Sequence, residues 1–228
     1  MAPQLVSRAL ELCPELQVVG VAGPGESLAT NHAVDALEVV LKRFPNLIGC
    51  LSTNGLNLPG LVNRLATVGV RTVSVTVNAL SPAVWPHIYA WIVHNGRKTV
   101  GGEAARTLCG AQAEGIRRAV ALGLVVKVNT VLVPGINEDE IEKIASWASR
   151  CGASLMNVIP LLPAGEMADL PAPDCLTIER VRRQVEKYLP VFRHCRQCRA
   201  DSCGIPGLGR DFAADLYEEG AVETFSHG

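Results

Sequence analysis

Aromatic side chains are scarce in this chain: Phe, Tyr and Trp together make 4% of 228 residues. The hydrophobic fraction is nevertheless 48%, so a core has to be built from Val, Leu and Ala, which suits α/β packing. An excess of charge of one sign is missing too. Lys plus Arg number 21 against 22 Asp plus Glu, a formal net charge of −1. That balance excludes a general attraction to nucleic acid or to a membrane surface. No apolar run is long enough to span a bilayer, and no basic-then-apolar leader opens the chain. The cytoplasm is the expected location. There, eight cysteines read as thiols or metal ligands rather than as a disulfide framework. Low-complexity tracts and charge blocks are also absent. At 24.3 kDa the chain can bury roughly 70% of its unfolded surface, enough for one sizeable core with or without an extension.

What is present is a repeated phrase: an amphipathic helix, a glycine, then an apolar strand. It runs through Gly69 into Val70–Asn78, through Gly123 into Leu124–Leu132, and through Gly152 into Ser154–Leu162. Glycine just past a helix supplies a left-handed cap, and this is the punctuation of βα units. The spacing predicts helices near Pro3–Leu12, His32–Phe44, Leu58–Val68, Ala104–Leu122 and Glu138–Ser149. It predicts further strands at Leu16–Ala22 and Leu47–Ser52. The five strands are joined by crossovers long enough for parallel pairing.

The strands alternate in polarity. Thr72, Ser74, Thr76 and Asn78 share one face, while Val73, Val75 and Val77 share the other. Cys50, Ser52 and Asn54 share a face if the strand stays extended that far, as do Lys127 and Asn129. A parallel sheet covered on both sides reads as continuous apolar runs instead. One face of this sheet is therefore either solvated or turned into a polar hollow. The second reading, a partial (βα) barrel with its helices on the outside, is the one adopted. Past Gly165 the pattern breaks at Pro171 and Pro173. A basic amphipathic helix near Thr177–Tyr188 follows, then a Gly-rich, weakly helical tail. The expected division is a barrel over 1–164 and a C-terminal extension over 165–228.

Chemistry concentrates at three places. Gly20–Glu26 ends the first strand, where glycines let a ligand approach the backbone and Glu26 can accept from an ammonium group. A tight turn is the plainer reading. Cys50–Gly55 ends the second strand, at the mouth where barrels carry their ligands, although Cys50 alone also suits a small core residue. Asn137, in the turn after the fourth strand, equally suits a helix N-cap. Arg193–Asp201 packs His194, Cys195 and Cys198 among arginines that favour thiolate over thiol. That C-x-x-C pair fits a metal or cluster site. Structural zinc completed by His194 and Cys203, a redox dithiol and unligated thiols remain open for it. Cys13, Cys109 and Cys151 are expected to pack among apolar neighbours, and Trp85, Trp91 and Trp147 to serve packing rather than stacking. His87 and His94 are expected in a surface loop.

Four runs stand in a telling order: Val21–Gly25, Cys50–Leu56, Lys127–Asn137 and His194–Asp201. Together they resemble the NifB family of radical SAM proteins, over about Gln17 to Asp201. The resemblance implies a partial (βα)6 barrel that fuses [4Fe-4S] clusters and inserts a carbide from S-adenosyl-L-methionine (SAM) during nitrogenase iron–molybdenum cofactor biosynthesis. By the same resemblance, Gly23, Gly25 and Glu26 meet the amino-acid end of SAM. Ser52, Asn54, Thr76, Asn129 and Ile159 line its pocket. Cys50 ligates one substrate cluster, and Cys195 with Cys198 another. The implied partners are cluster donors and cofactor carrier or scaffold proteins, with neither nucleic acid nor membrane.

Two departures from the family stand out. The C-x3-C-x2-C triad that holds the SAM-binding cluster occurs nowhere in the 228 residues. The first strand that precedes it is expected to be missing, and Glu26-Ser27 stands where Asp-Pro is usual. The chain by itself is therefore expected not to cleave SAM. Alternatives of other classes are a non-catalytic cluster carrier and a zinc-stabilised βα protein.

Overall fold

The computed structural model describes residues 1–23, 25–193, 202–205 and 211–216. Helix α1 (Ala2–Leu12) leads into β1 (Val18–Val21). The units that follow are α2 (His32–Arg43) with β2 (Ile48–Thr53), and α3 (Leu58–Val68) with β3 (Val70–Thr76). A short hairpin comes next, β4 (Ile92–His94) with β5 (Arg97–Thr99). Then come α4 (Gly101–Ala121), β6 (Val125–Leu132), α5 (Ile141–Cys151), β7 (Leu155–Pro160) and α6 (Cys175–Val185). A short α7 (Ala213–Leu216) closes the described chain.

The main sheet has the order β1-β2-β3-β6-β7, with every pair parallel. Each new strand is added on the same side of the last. Right-handed crossovers therefore stack all the connecting helices on one face, where α2, α3, α4, α5 and α6 each pack on the next. This is the progression of a (βα) barrel rather than of a doubly wound sheet, and the sheet stays open. Beyond β7 the chain returns to its edge: Met156 N donates to Pro190 O at 3.0 Å and Phe192 N donates to Met156 O at 2.8 Å, forming a parallel bridge at Val191.

The predicted alternation is realised. Leu51, Val73, Val75, Val126, Val128, Met156 and Val158 are fully buried under the helices with Leu37, Leu58, Leu65, Ile116 and Ile144. The closest helix contact depends on Gly115, where a Cβ would stand 2.9 Å from the Leu58 side chain. In the tail, α6 packs on α5 and on β7, and Asp174 caps it by accepting from Thr177 N at 2.6 Å.

Two features depart from the sequence reading. Register slips between Gly49 and Cys50, leaving Arg71 as an extra residue in β3. That bulge lets Val70 and Val73 both enter the core while Thr72 faces away. The stretch around His94 is not a loop but the β4–β5 hairpin. Asn95-Gly96 turns it, with both residues at positive φ (51° and 75°). An Asn-Gly pair between short β-prone runs is the signal that goes unread in the sequence. The hairpin covers a second small core of Trp85, Ile92, Leu56, Ala104 and Leu108.

Candidate functional site

The face of the sheet opposite the helices carries three registered rows. Gly20, Cys50 and Thr72 form one; Ser52, Ser74 and Lys127 the next; Thr76, Asn129 and Asn157 the third. Val131 and Ile159 stand above them. Sequence alternation already grouped Ser74 with Thr76, and Lys127 with Asn129. The register now brings the strands' groups together.

Cys50 lies in the first row. Gly20 opens the space beside it: a Cβ on Gly20 would sit 3.6 Å from that of Cys50. Burial pushes the Cys50 thiol above its ordinary range. The Lys127 charge and hydrogen bonding with Thr72, the Leu51 backbone and Ser74 oppose that rise. A soft sulfur donor half-buried on a polar face suits iron. Lys127 holds its ammonium 5.0 Å above the Phe192 ring, so the edge segment 190–192 reaches this same face. Cys195 and Cys198 lie outside the described residues, as does Pro24. Among the described residues, no group of three His, Cys, Asp or Glu side chains is poised to hold a metal.

At the rim, Gly23 and Gly25 take positive φ (131° and 79°), and Glu26 follows. Its carboxylate is engaged by the protein. It accepts from the Thr53 hydroxyl and from Leu28 N at 2.9 Å on one oxygen, and from Asn54 N at 2.6 Å on the other. Glu26 thereby joins the loops after β1 and β2. Strand β2 ends at Thr53, so Asn54 does not continue the Cys50 face. Its Oδ1 accepts from Leu56 N at 2.8 Å, closing its own turn. Ser52, Thr76 and Ile159 stay half-open on the inner face, and Asn129 is 7% exposed. Asn129 Oδ1 and both side-chain polar atoms of Asn157 are buried without a hydrogen-bond partner among the described residues. Unpartnered amides at this depth are costly, and here they line the third row, where a ligand's polar groups can satisfy them. Asn157 is a polar chamber residue that sequence reading missed, although its alternation with Leu155 and Ile159 carried the signal.

A second polar set holds the rim in shape. Gln112, from α4, is buried and donates Nε2 to the carbonyls of Asn54 (2.8 Å) and Thr76 (3.0 Å). Glu140 accepts from Leu80 N and Ser81 N at 3.0 and 2.9 Å. Asn137 caps no helix through its side chain. It is instead buried against Asn78, Val131 and Val133. Cys13 and Cys151 are buried, Cys109 is half-buried, and all three are free thiols. Trp85 is core, whereas Trp91 is 51% exposed beneath the Lys98 ammonium. No helix among the described residues is long and apolar enough to cross a membrane.

Comparison with known proteins gives the same picture. Residues 4–148 match the radical SAM superfamily model. The FeMo cofactor biosynthesis protein NifB of Methanocaldococcus infernus is 42% identical over 200 residues, covering 88% of this chain and 66% of that protein. NifB of Klebsiella pneumoniae is 39% identical over 226 residues, covering 96% of this chain and 48% of the relative. This chain thus spans between about half and two thirds of the length of these relatives. Among solved structures, a radical SAM methyltransferase from Sphaerobacter thermophilus superposes with a TM-score of 0.61 at 22% identity, over 84% of this chain and 55% of that one. Streptococcus suis SuiB bound to S-adenosylmethionine gives 0.58 at 13% identity, over 83% and 43%. The order of the strands, the one-sided helix layer and the matched motifs have one explanation: the chain belongs to the radical SAM superfamily, and the relatives it resembles there are NifB proteins.

Proposed function

We propose that this chain handles iron–sulfur clusters as substrate in the assembly of the nitrogenase iron–molybdenum cofactor, as part of a NifB-type radical SAM protein. The observation that carries the proposal is the position of Cys50. Its sulfur shares the inner, polar face with Lys127, with Asn129 Oδ1 and with the Asn157 amide, which have no hydrogen-bond partner among the described residues. Thr76, Asn129 and Ser52 are the side chains that suit SAM there, with Gly23 and Gly25 at the rim. Cys50 is one cluster ligand, and Cys195 with Cys198 supply others. When bound, SAM supplies the methyl carbon for carbide insertion. This chain holds no C-x3-C-x2-C set, so its own cysteines do not fit the SAM-chelating cluster and no cleavage step is assigned to them. Clusters arrive from donor proteins and the product leaves on a carrier.

The test is anaerobic reconstitution with ferrous iron and sulfide. Iron and acid-labile sulfide are counted on the wild type, Cys50→Ala and the Cys195→Ala/Cys198→Ala double variant. Each variant is expected to lose a separate share of both elements, and the wild-type chain alone is expected to yield no 5′-deoxyadenosine from SAM. Equal iron in all three proteins, or zinc without iron and sulfide, would overturn the reading. A second reading, a cluster carrier with no use for SAM, rests on the cysteines Cys50, Cys195 and Cys198 alone. Equilibrium dialysis separates the two: SAM retention weakened by Asn129→Ala supports the radical SAM role, and no retention supports the carrier.

A further inference from the structure

Strand alternation sends the residues in register with Gly20, Cys50, Ser74, Lys127, Asn129 and Asn157 toward the inner face. One of these is charged, Lys127, and it is half-buried. Charges withdrawn from water are ordinarily paired. Yet Lys127 makes no ion pair among the described residues, and its recorded contact is the face of the Phe192 ring. The carboxylate at the rim, Glu26, already accepts from Thr53, Leu28 and Asn54. Among the described residues, therefore, no carboxylate pairs with the positive charge that this face carries near Cys50.

We propose that Lys127 is the charge partner of an anionic iron–sulfur guest held beside Cys50. The inference rests on Cys50 being a cluster ligand. SAM is a poor match for the role, because its sulfonium and ammonium outweigh its carboxylate. A [4Fe-4S] cluster whose irons all carry thiolate or sulfide ligands is net negative, and a nearby ammonium stabilises it where screening by water is weak. The flat Phe192 ring beneath the ammonium keeps it raised without neutralising it. The same charge raises the potential at which the guest takes up an electron, because added negative charge is then partly offset.

The experiment uses the whole chain, reconstituted anaerobically with ferrous iron and sulfide. It compares wild type, Lys127→Met, Lys127→Arg and Cys50→Ser. Iron and sulfide are counted after gel filtration, the cluster potential is read by dye-mediated titration, and thermal melting is followed without guest. Cys50→Ser defines the iron held by Cys50. Lys127→Met is expected to lose at least half of that share and to shift the remaining cluster to lower potential. Lys127→Arg should restore both. The guest-free melting temperature of Lys127→Met should not fall, whereas a Lys127 that merely packs on Phe192 would stabilise the empty fold and lower it on removal. If Cys50→Ser holds as much iron as wild type, the cluster reading of Cys50 fails and this inference falls with it. If Cys50→Ser loses iron while Lys127→Met matches wild type in iron and potential, the inference alone is overturned.

Discussion

Asn137 Nδ2 donates to the carbonyl of Asn78 at 2.9 Å, fastening the loop after β6 to the end of β3. The same amide group donates to Val131 O at 2.8 Å, while Oδ1 accepts from Val133 N at 2.8 Å. All of this happens at a fully buried position. Removing the side chain leaves three backbone groups short of a partner. Asn137→Ala should therefore cost about 3 kcal/mol, read as a lower urea midpoint at unchanged slope. Asn137→Asp should cost at least as much at neutral pH, because its second oxygen would face two carbonyls. An Asn137 that only capped the next helix would cost about 1 kcal/mol.

Gly55 combines two constraints. Its φ is +88°, and a Cβ there would meet Gln112 Cγ at 2.8 Å and Val75 Cγ1 at 2.9 Å. Gly123 shares the positive φ (+79°) with open space around it. Gly123→Ala should thus cost about 1 kcal/mol for the backbone alone. Gly55→Ala adds overpacking of about 1–3 kcal/mol and displaces Gln112, which ties β2 to β3. Comparing the two denaturation midpoints isolates the packing contribution, and equal losses would contradict it.

Burial pushes the Cys109 thiol from its ordinary 9.0 to about 11, and the nearby Glu140 charge adds to the rise. As pH climbs past 9 the unfolded thiol ionises while the folded one keeps its proton. The native state then binds more protons, so stability falls with rising pH across that window. Cys109→Ala should flatten the decline between pH 9 and 10. Tyr89, whose phenol is also pushed upward by burial, keeps a similar slope above pH 10 in both proteins. Urea midpoints measured at half-unit pH steps decide it.

The helices and strands of the barrel were legible because glycine punctuation and period-two alternation are local signals. Gly69 and Gly152 do end α3 and α5 in the left-handed region, and the valine face is the buried one. The polar inner face was legible for the same reason, down to Cys50, Ser74, Thr76 and Asn129. What stayed hidden depends on contacts between distant residues. Nothing near Gln112 announces that its amide will span the ends of two strands. Nothing near Glu26 announces that Thr53 and Asn54 will take its oxygens. The β4–β5 hairpin is the exception: Asn95-Gly96 is a local turn signal, but the strands it joins are only 3 residues each, too short to show an alternation. The resemblance of the HCRQC run to its family is carried by sequence alone.

Glu26 offers the sharpest test of how the rim is built. Its oxygens accept from Thr53 Oγ1, Leu28 N and Asn54 N, and both Thr53 and Leu28 are buried. If the carboxylate is a fastener between loops, Glu26→Ala should lower stability by about 2 kcal/mol and speed hydrogen exchange at Leu28 and Asn54 in particular. Glu26→Gln keeps an acceptor for Thr53 and Leu28 but turns an NH2 toward Asn54 N, and should cost about 1 kcal/mol. Glu26→Asp is shorter by one methylene and cannot reach both loops, so it should lose one set of protections and keep the other. If the carboxylate instead served an ammonium ligand, Glu26→Gln would leave stability and exchange untouched and weaken SAM retention alone. The pattern of protected amides, read residue by residue on the three variants, distinguishes the two roles without any need for turnover.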